Sequence, residues 1–218
     1  AAQHHMGVAN ELGLGLAKDG ALAQRWYEQA AEQGFAPAQS ALGARLMRTE
    51  AGYTPDHTAA LKWNRQAATQ GDANGQNNVG LALLKGWGVP VNHTQALTWF
   101  RQAAEQGHAD ALFNLGNLYD AGHAVPQNHA KAVEFYRSAA VQSHTLAQVT
   151  LADRYDRGRG VVQNDVKAHL WYNIAAASGH ARAAKYRDYT TKRMNFEQLT
   201  QAQKLATVCQ QSGFKGCD

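Results

Sequence analysis

The chain has 218 residues, with 21 Lys+Arg against 17 Asp+Glu and 10 His, for a formal charge of +4. That length is ample for one buried core and short for two ordinary domains. So mild a charge, with no run of five Lys/Arg, excludes the basic stripe of a nucleic-acid binder, and no apolar stretch approaches the ~18 residues needed to cross a bilayer.

Nothing at the start reads as a signal peptide, which leaves a cytosolic chain or a processed or trimmed one. Ala1-Ala2-Gln3 suits a mature end left by cleavage behind small residues, and His4-His5-Met6 suits a tag remnant equally well. In chain order the next signal is a repeat. An aromatic pair or its variant recurs as Trp26-Tyr27, Trp63-Asn64, Trp99-Phe100, Phe135-Tyr136 and Trp171-Tyr172, in steps of 37, 36, 36 and 36 residues. Three residues earlier stand Ala23, Ala60, Ala96, Ala132 and Ala168, and an alanine pair follows each aromatic, from Ala30-Ala31 to Ala175-Ala176. Gly34, Gly71, Gly107, Ser143 and Gly179 come next. Spacings of three and four place these residues on one face of a helix, here helix B, with the aromatic as the large knob and the glycine at the left-handed C-terminal position. On this reading Trp99 is a core residue, and the turn at Ser143 differs slightly from the others.

A second helix, A, follows each glycine, with Val79-Gly80, Leu115-Gly116 and Leu151-Ala152 at its centre. A glycine inside a helix costs up to ~1 kcal/mol, so its recurrence predicts close approach of helix B there. Helix A runs into Gly86-Trp87-Gly88-Val89, Gly122-His123-Ala124-Val125 and Gly158-Arg159-Gly160-Val161. Asp56, Asn92, Asn128 and Asn164 then hold the N-cap place of helix B. The second unit carries one extra residue in its turn, between Leu42 and Trp63, and the first is read as shortened, without the Gly-x-Gly-Val turn. An A-like helix over 181–193 and a last helix from Asn195 to Gln211 close the chain. Leu199, Ala202, Leu205, Ala206 and Cys209 face inward along the last helix as a cap on the stack. The domains are therefore 1–194, the array, and 195–218, the cap and tail.

Cys209 and Cys217, eight apart, suggest a disulfide closing a small loop, which persists only in an oxidising compartment; two unrelated thiols in a cytosolic tail is the plainer alternative. The histidines invite a metal. However, His108, His144 and His180 are one equivalent position, and His93 and His129 another. Equivalent positions stand a whole repeat apart, roughly 10 Å, too far to share one ion. No catalytic or phosphate-binding motif is present. Asp153 and Asp156 could form a carboxylate pair, but an open surface does not exclude water. Neither enzyme activity nor a cofactor is expected.

The pattern Ala-x-x-x-Leu-Gly-x-x-Tyr-x-x-Gly-x-Gly-Val, then Lys-Ala-x-x-Trp-Tyr-x-x-Ala-Ala-x-x-Gly, resembles the Sel-1-like repeat, a relative of the tetratricopeptide repeat. Lys131-Ala132 and Lys167-Ala168 match its Lys-Ala step, and the likeness runs over about residues 4–193. The residues from Arg193 to Gln203 resemble the C-terminal cap of bacterial members. The resemblance implies an all-α, right-handed α/α superhelix that scaffolds protein–protein contacts. Bacterial members are often exported. The cysteine spacing is similar to that of a cysteine-rich exported branch, which carries a pair in every repeat where this chain has one pair.

By analogy with tetratricopeptide repeats, a partner sits on a concave face lined by A helices. That selects Asn74, Asn77, Leu81 and Leu84; Asp110, Phe113, Asn117 and Asp120; Leu146, Val149, Asp153 and Asp156; and Arg182, Lys185 and Tyr189. Phe113 and Val149 make an apolar centre with an Asn/Asp rim, the anatomy of an interface, and the acids favour a basic partner segment. The plainer alternative is that both pack against the next A helix. Trp87, in a turn, is either an exposed anchor or folded over its own turn. The expectation is a monomeric protein-binding module, periplasmic or secreted with the cytoplasm as runner-up. In sharper form it is an immunity or inhibitor protein for a secreted toxin. An envelope scaffold or peptidoglycan-binding assembly factor is the rival, and a cell-wall hydrolase is disfavoured.

Overall fold

A computed structural model describes residues 1–48, 54–214 and 216–217. The chain divides into two compact units, 1–108 and 109–218. Among the described residues there are twelve helices and no strand. The first unit holds α1 (Ala2–Leu12), α2 (Gly20–Glu32), α3 (Ala36–Leu46), α4 (His57–Thr69), α5 (Ala73–Lys85) and α6 (His93–Glu105). The second holds α7 (Ala109–Ala121), α8 (His129–Ala140), α9 (Thr145–Arg157), α10 (Asp165–Ala177), α11 (Ala181–Thr191) and α12 (Phe196–Gln211). Odd-numbered helices are A helices and even-numbered ones B helices, up to α10. Within each unit, every helix of the array packs on its neighbours in sequence, and α12 packs on α10.

The helices start where side-chain caps allow. Asp56, Asn92, Asn128 and Asn164 each accept the backbone N–H three residues on, all at 2.9 Å. Asp19 does the same for Leu22 at 2.9 Å. These bonds satisfy one of the donors that a helix N-terminus leaves open. Asp19 also corrects the reading of the first unit. Gly13-Leu14-Gly15-Leu16 is its Gly-x-Gly turn, with Gly13 at φ 75 and Gly15 at φ 70, beside 75 and 69 for Gly86 and Gly88. The unit is therefore of full length. Met6 holds the place of Leu42, and Leu16 that of the turn valine; both substitutions hide the register in the sequence. The extra residue of the second unit falls where residues 49–53 lie outside the described residues.

The knob is the second member of each aromatic pair. Tyr27, Asn64, Phe100, Tyr136 and Tyr172 are 0–2% exposed. Trp26, Trp63, Trp99 and Phe135 are half-buried, and only Trp171 is also sealed. Trp99 is thus not the core residue expected. Neighbouring positions on a helix point ~100° apart, so only one of the pair can meet the opposing A helix. It does so at the small residue. A Cβ on Gly7, Gly43, Gly80 or Gly116 would stand 2.5–2.6 Å from Tyr27, Asn64, Phe100 or Tyr136. Close approach, predicted from the glycines, is what those glycines provide.

Ser143 keeps a left-handed φ of 64, and α8 ends at Ala140, one residue earlier in register than the other B helices. At the C-terminal end a capping box joins Asn195 and Gln198, and Ala202, Ala206 and Cys209 are buried while Leu199 and Leu205 are half-buried. Cys209 and Cys217 form a disulfide, and both are buried with the core around Trp171 and Tyr172.

Candidate partner-binding face

In the second unit the A helices bring Phe113, Leu146, Val149, Asp153 and Arg182 to one groove of about 320 Å³, as their expected register requires. Phe113 is held by its neighbours. Its ring stacks on the imidazole of His144 at 4.9 Å and lies 5.6 Å from Tyr136. His144 caps α9: its Nδ1 accepts from the Ala147 N–H at 3.0 Å. The ring proton therefore sits on Nε2, which donates to Asp110 Oδ1 at 3.0 Å. His180 caps α11 in the same way, through the Ala183 N–H at 3.2 Å. His144 and His180 are thus helix caps. Among the described residues no group of three or more His, Cys, Asp or Glu is placed to hold a metal.

Five groove residues lie outside the positions that register selects: Thr150, Arg154, Tyr172, His180 and Tyr186. Tyr172 was assigned wholly to the core, yet it reaches the groove floor. Burial, then the nearby charges of Asp153 and Asp156, push its phenol up, so it is neutral at any ordinary pH. Tyr186 lies next to the expected Lys185. The A-like helix lacks the central leucine that sets the register elsewhere, so no signal in the chain separates the two.

The acids do not form a free stripe. Asp110 pairs with His144. Asp120 takes His129 Nδ1 at 2.9 Å and Arg154 at 3.1 Å, with Arg159 at 3.9 Å. Asp153 takes Arg157 Nε at 2.6 Å, and that bond, followed by the carboxylate's charge, raises the guanidinium's pKa. Asp156 is held by Arg193, which also reaches Asp165 at 2.8 Å. Asn117 accepts the Tyr136 hydroxyl at 2.9 Å, and burial foremost, with Asp120, pushes that phenol up to about 12. Arg182 is exposed and has no ion pair among the described residues; Lys185 stands 5.9 Å over the Tyr189 ring. The ground for a basic partner segment is weaker here, because Asp120, Asp153 and Asp156 are already paired with arginines of the chain, while Asp110 meets only a neutral imidazole.

In the first unit, Asn74 is exposed and its Oδ1 lies 3.1 Å from His108 Nε2. Asn77 is 3% exposed and so is not a surface residue; its place on α5 turns inward. Leu81 and Leu84 are half-buried. Trp87 is neither a free anchor nor folded on its own turn. It lies flat on His57 of α4, with centroids 5.3 Å apart and planes 5° apart.

The Sel1 repeat model matches residues 1–35, 36–72, 73–108, 109–144 and 145–180. The chain belongs to the Sel1 repeat family. No curated protein matches it significantly. Among solved structures it is similar to a protective antigen present in uropathogenic Escherichia coli strains, which displays an SLR fold. That likeness has 32% identity and a TM-score of 0.84 over 98% of this chain and 46% of the other. The chain thus spans less than half the length of that protein. A Sel1 repeat protein from Oxalobacter formigenes is 35% identical, with a TM-score of 0.74 over 85% of this chain and 74% of the other. An immunity protein from Pseudomonas aeruginosa, at 19% identity and a TM-score of 0.57 over 81% of this chain and 67% of the other, shares the fold. The Sel1 chain is therefore an all-α solenoid of helix pairs, and Sel1 repeats act in protein–protein interaction. Among the described residues no helix is long and apolar enough to cross a membrane.

Proposed function

We propose that this Sel1 array is a non-enzymatic module that works outside the cytoplasm and holds one protein partner in the groove of its second unit. The observation that carries the reading is the groove itself: an apolar lining of Phe113, Leu146 and Val149, with Phe113 stacked on the helix-capping His144, beside Asp153 and Arg154, each paired within the chain, and the exposed Arg182. Such a surface binds by burying apolar area, with polar rim groups setting register. Two observations support export. The buried Cys209–Cys217 disulfide is stable in an oxidising compartment, and the Escherichia coli relative is described as a protective antigen. The finer reading is an inhibitor that clamps a secreted toxin stoichiometrically, without turnover.

The test is affinity capture from secreted and envelope extracts, followed by titration of the purified partner against Phe113→Glu and Asp153→Lys chains. One protein bound at 1:1 and lost with Phe113→Glu supports the groove. Inhibition of that protein's toxicity supports the finer reading. Binding unchanged by Phe113→Glu overturns the site, and retention on purified cell wall without any protein overturns the partner class in favour of the assembly-factor reading.

A further inference from the structure

The groove of the second unit continues onto α11, and the open charge there is of one sign. Arg182 and Tyr186 line the groove from that helix. Arg182, Lys185, Tyr186 and Tyr189 recur at helical spacing, so they share one face of α11, and Lys192, its C-cap, extends that face. All five are exposed. The ring of Tyr186 lies 5.6 Å from that of Tyr172, which ties the strip to the groove floor. The ammonium groups of Lys185 and Lys192 stand 5.9 and 5.6 Å over the Tyr189 ring, whose electron-rich face keeps both cations on this side of the helix.

Charge pairing is complete for the acids of these A helices and incomplete for their cations. Every Asp on α7, α9 and α11 has a partner inside the chain: the four already described, and Asp188, which takes Arg187 at 2.8 Å. Arg182, Lys185 and Lys192 have no ion pair among the described residues. A basic segment would have to displace an arginine to reach Asp120, Asp153 or Asp156. An acidic segment displaces nothing. Beside those cations the apolar lining is open, since Leu146 is 54% exposed.

Resting on the reading of the groove as the partner's seat, we propose that its occupant is a protein segment in which a large apolar side chain is flanked by Asp or Glu. The apolar side chain fills the groove against Phe113, Leu146 and Val149, and the carboxylates lie along α11. Arg182 can hold a carboxylate through two parallel N–H donors, while the lysines act as point charges that tolerate a looser register. Tyr186 offers both an apolar ring and a hydroxyl at the junction. This sign is the reverse of the one that the acid-rich register suggests. A sugar–phosphate backbone would meet the cations but has no side chain for the apolar lining. A lipid surface is too flat to enter a recess of about 320 Å³.

The test is a random peptide library displayed on phage and panned against the purified chain, with the enriched peptides synthesised and titrated by fluorescence anisotropy. Enrichment of Asp and Glu beside Leu, Ile, Phe or Trp is expected. Such a peptide should lose ~tenfold or more in affinity with Arg182→Glu/Lys185→Glu, and should weaken as salt rises. It should also weaken with Leu146→Ser, an exposed position whose change leaves the core alone, while far-UV circular dichroism stays unchanged in these variants. Neutral or basic peptides that need Leu146 but ignore Arg182→Glu/Lys185→Glu would overturn the acidic segment and leave the groove standing. Acidic peptides indifferent to Leu146→Ser would overturn both. Failure to enrich any sequence would overturn a linear occupant. Single-stranded DNA or vesicles of anionic lipid that bind more tightly than any peptide, and are lost with Arg182→Glu/Lys185→Glu, would assign the strip to a polyanion and overturn the proposal.

Discussion

Ser143→Gly should stabilise the protein, and the structure sets the size of the effect. Ser143 stands at φ 64 where the equivalent Gly34, Gly71, Gly107 and Gly179 stand at φ 81, 87, 79 and 86. A Cβ at any of those four glycines would meet nothing within 4 Å, so glycine is there for the backbone and not for space. A left-handed conformation costs an L-residue roughly 1–2 kcal/mol. Glycine gives part of that back through the extra freedom of the unfolded chain, ~0.4–1 kcal/mol. The net gain is ~0.5–1 kcal/mol, or a rise of ~1–4 °C in melting temperature for a chain of this length. Urea and thermal unfolding followed by circular dichroism measure it. Gly107→Ser is the converse and should cost a similar amount. A Ser143→Gly chain that is no more stable, together with a neutral Gly107→Ser, would refute the strain argument.

Phe100→Ala should destabilise by ~3–5 kcal/mol in urea unfolding, and Trp99→Ala by distinctly less, because Phe100 is sealed and Trp99 is half-buried. Equal losses would return Trp99 to the core. Gly116→Ala, whose Cβ would stand 2.5 Å from the Tyr136 ring, should cost ~1–3 kcal/mol by overpacking, seen as a lower urea midpoint; a neutral result would mean α7 and α8 can part freely. His169 is 3% exposed; burial first, then Arg187, lower its pKa, with Asp188 opposing. Its folded value lies below its unfolded 6.5, so the unfolded chain binds the extra proton and stability is lost as pH falls below that value. The urea midpoint should therefore drop from pH 7.5 toward 5.5, with a shallower slope in His169→Gln; an unchanged slope would acquit His169.

The fold was legible because a solenoid writes its tertiary contacts into local period. The recurring aromatic, the alanine pair and the capping Asp or Asn each recur at a nearly constant step, so one unit explains the next. Gly80 and Gly116 announced close packing before any neighbour was known, since a glycine in mid-helix needs a reason. Legibility failed where one residue substituted quietly for another. Met6 in place of a leucine and Leu16 in place of a valine concealed a full-length first unit.

The groove was legible in part, for a related reason. Register alone places Phe113, Val149, Asp153 and Arg182 on one face, and the structure gathers them. Register does not reveal charge pairing, because the partners come from other elements: Arg154 reaches Asp120 from 34 residues away, and Arg193 reaches Asp156 from 37. Asp153 is the exception, paired with Arg157 one turn along α9; the pairing of Asp120 and Asp156 came only from those distant contacts.

The helix pairs, their caps and their small close-approach positions follow from the sequence by itself, because they depend on spacing along one helix and on comparison of one repeat with the next. The tertiary structure alone decided which ring of each pair is the knob and which acids are paired across helices. Each of these depends on what lies across a gap from a residue, which spacing along one helix does not record.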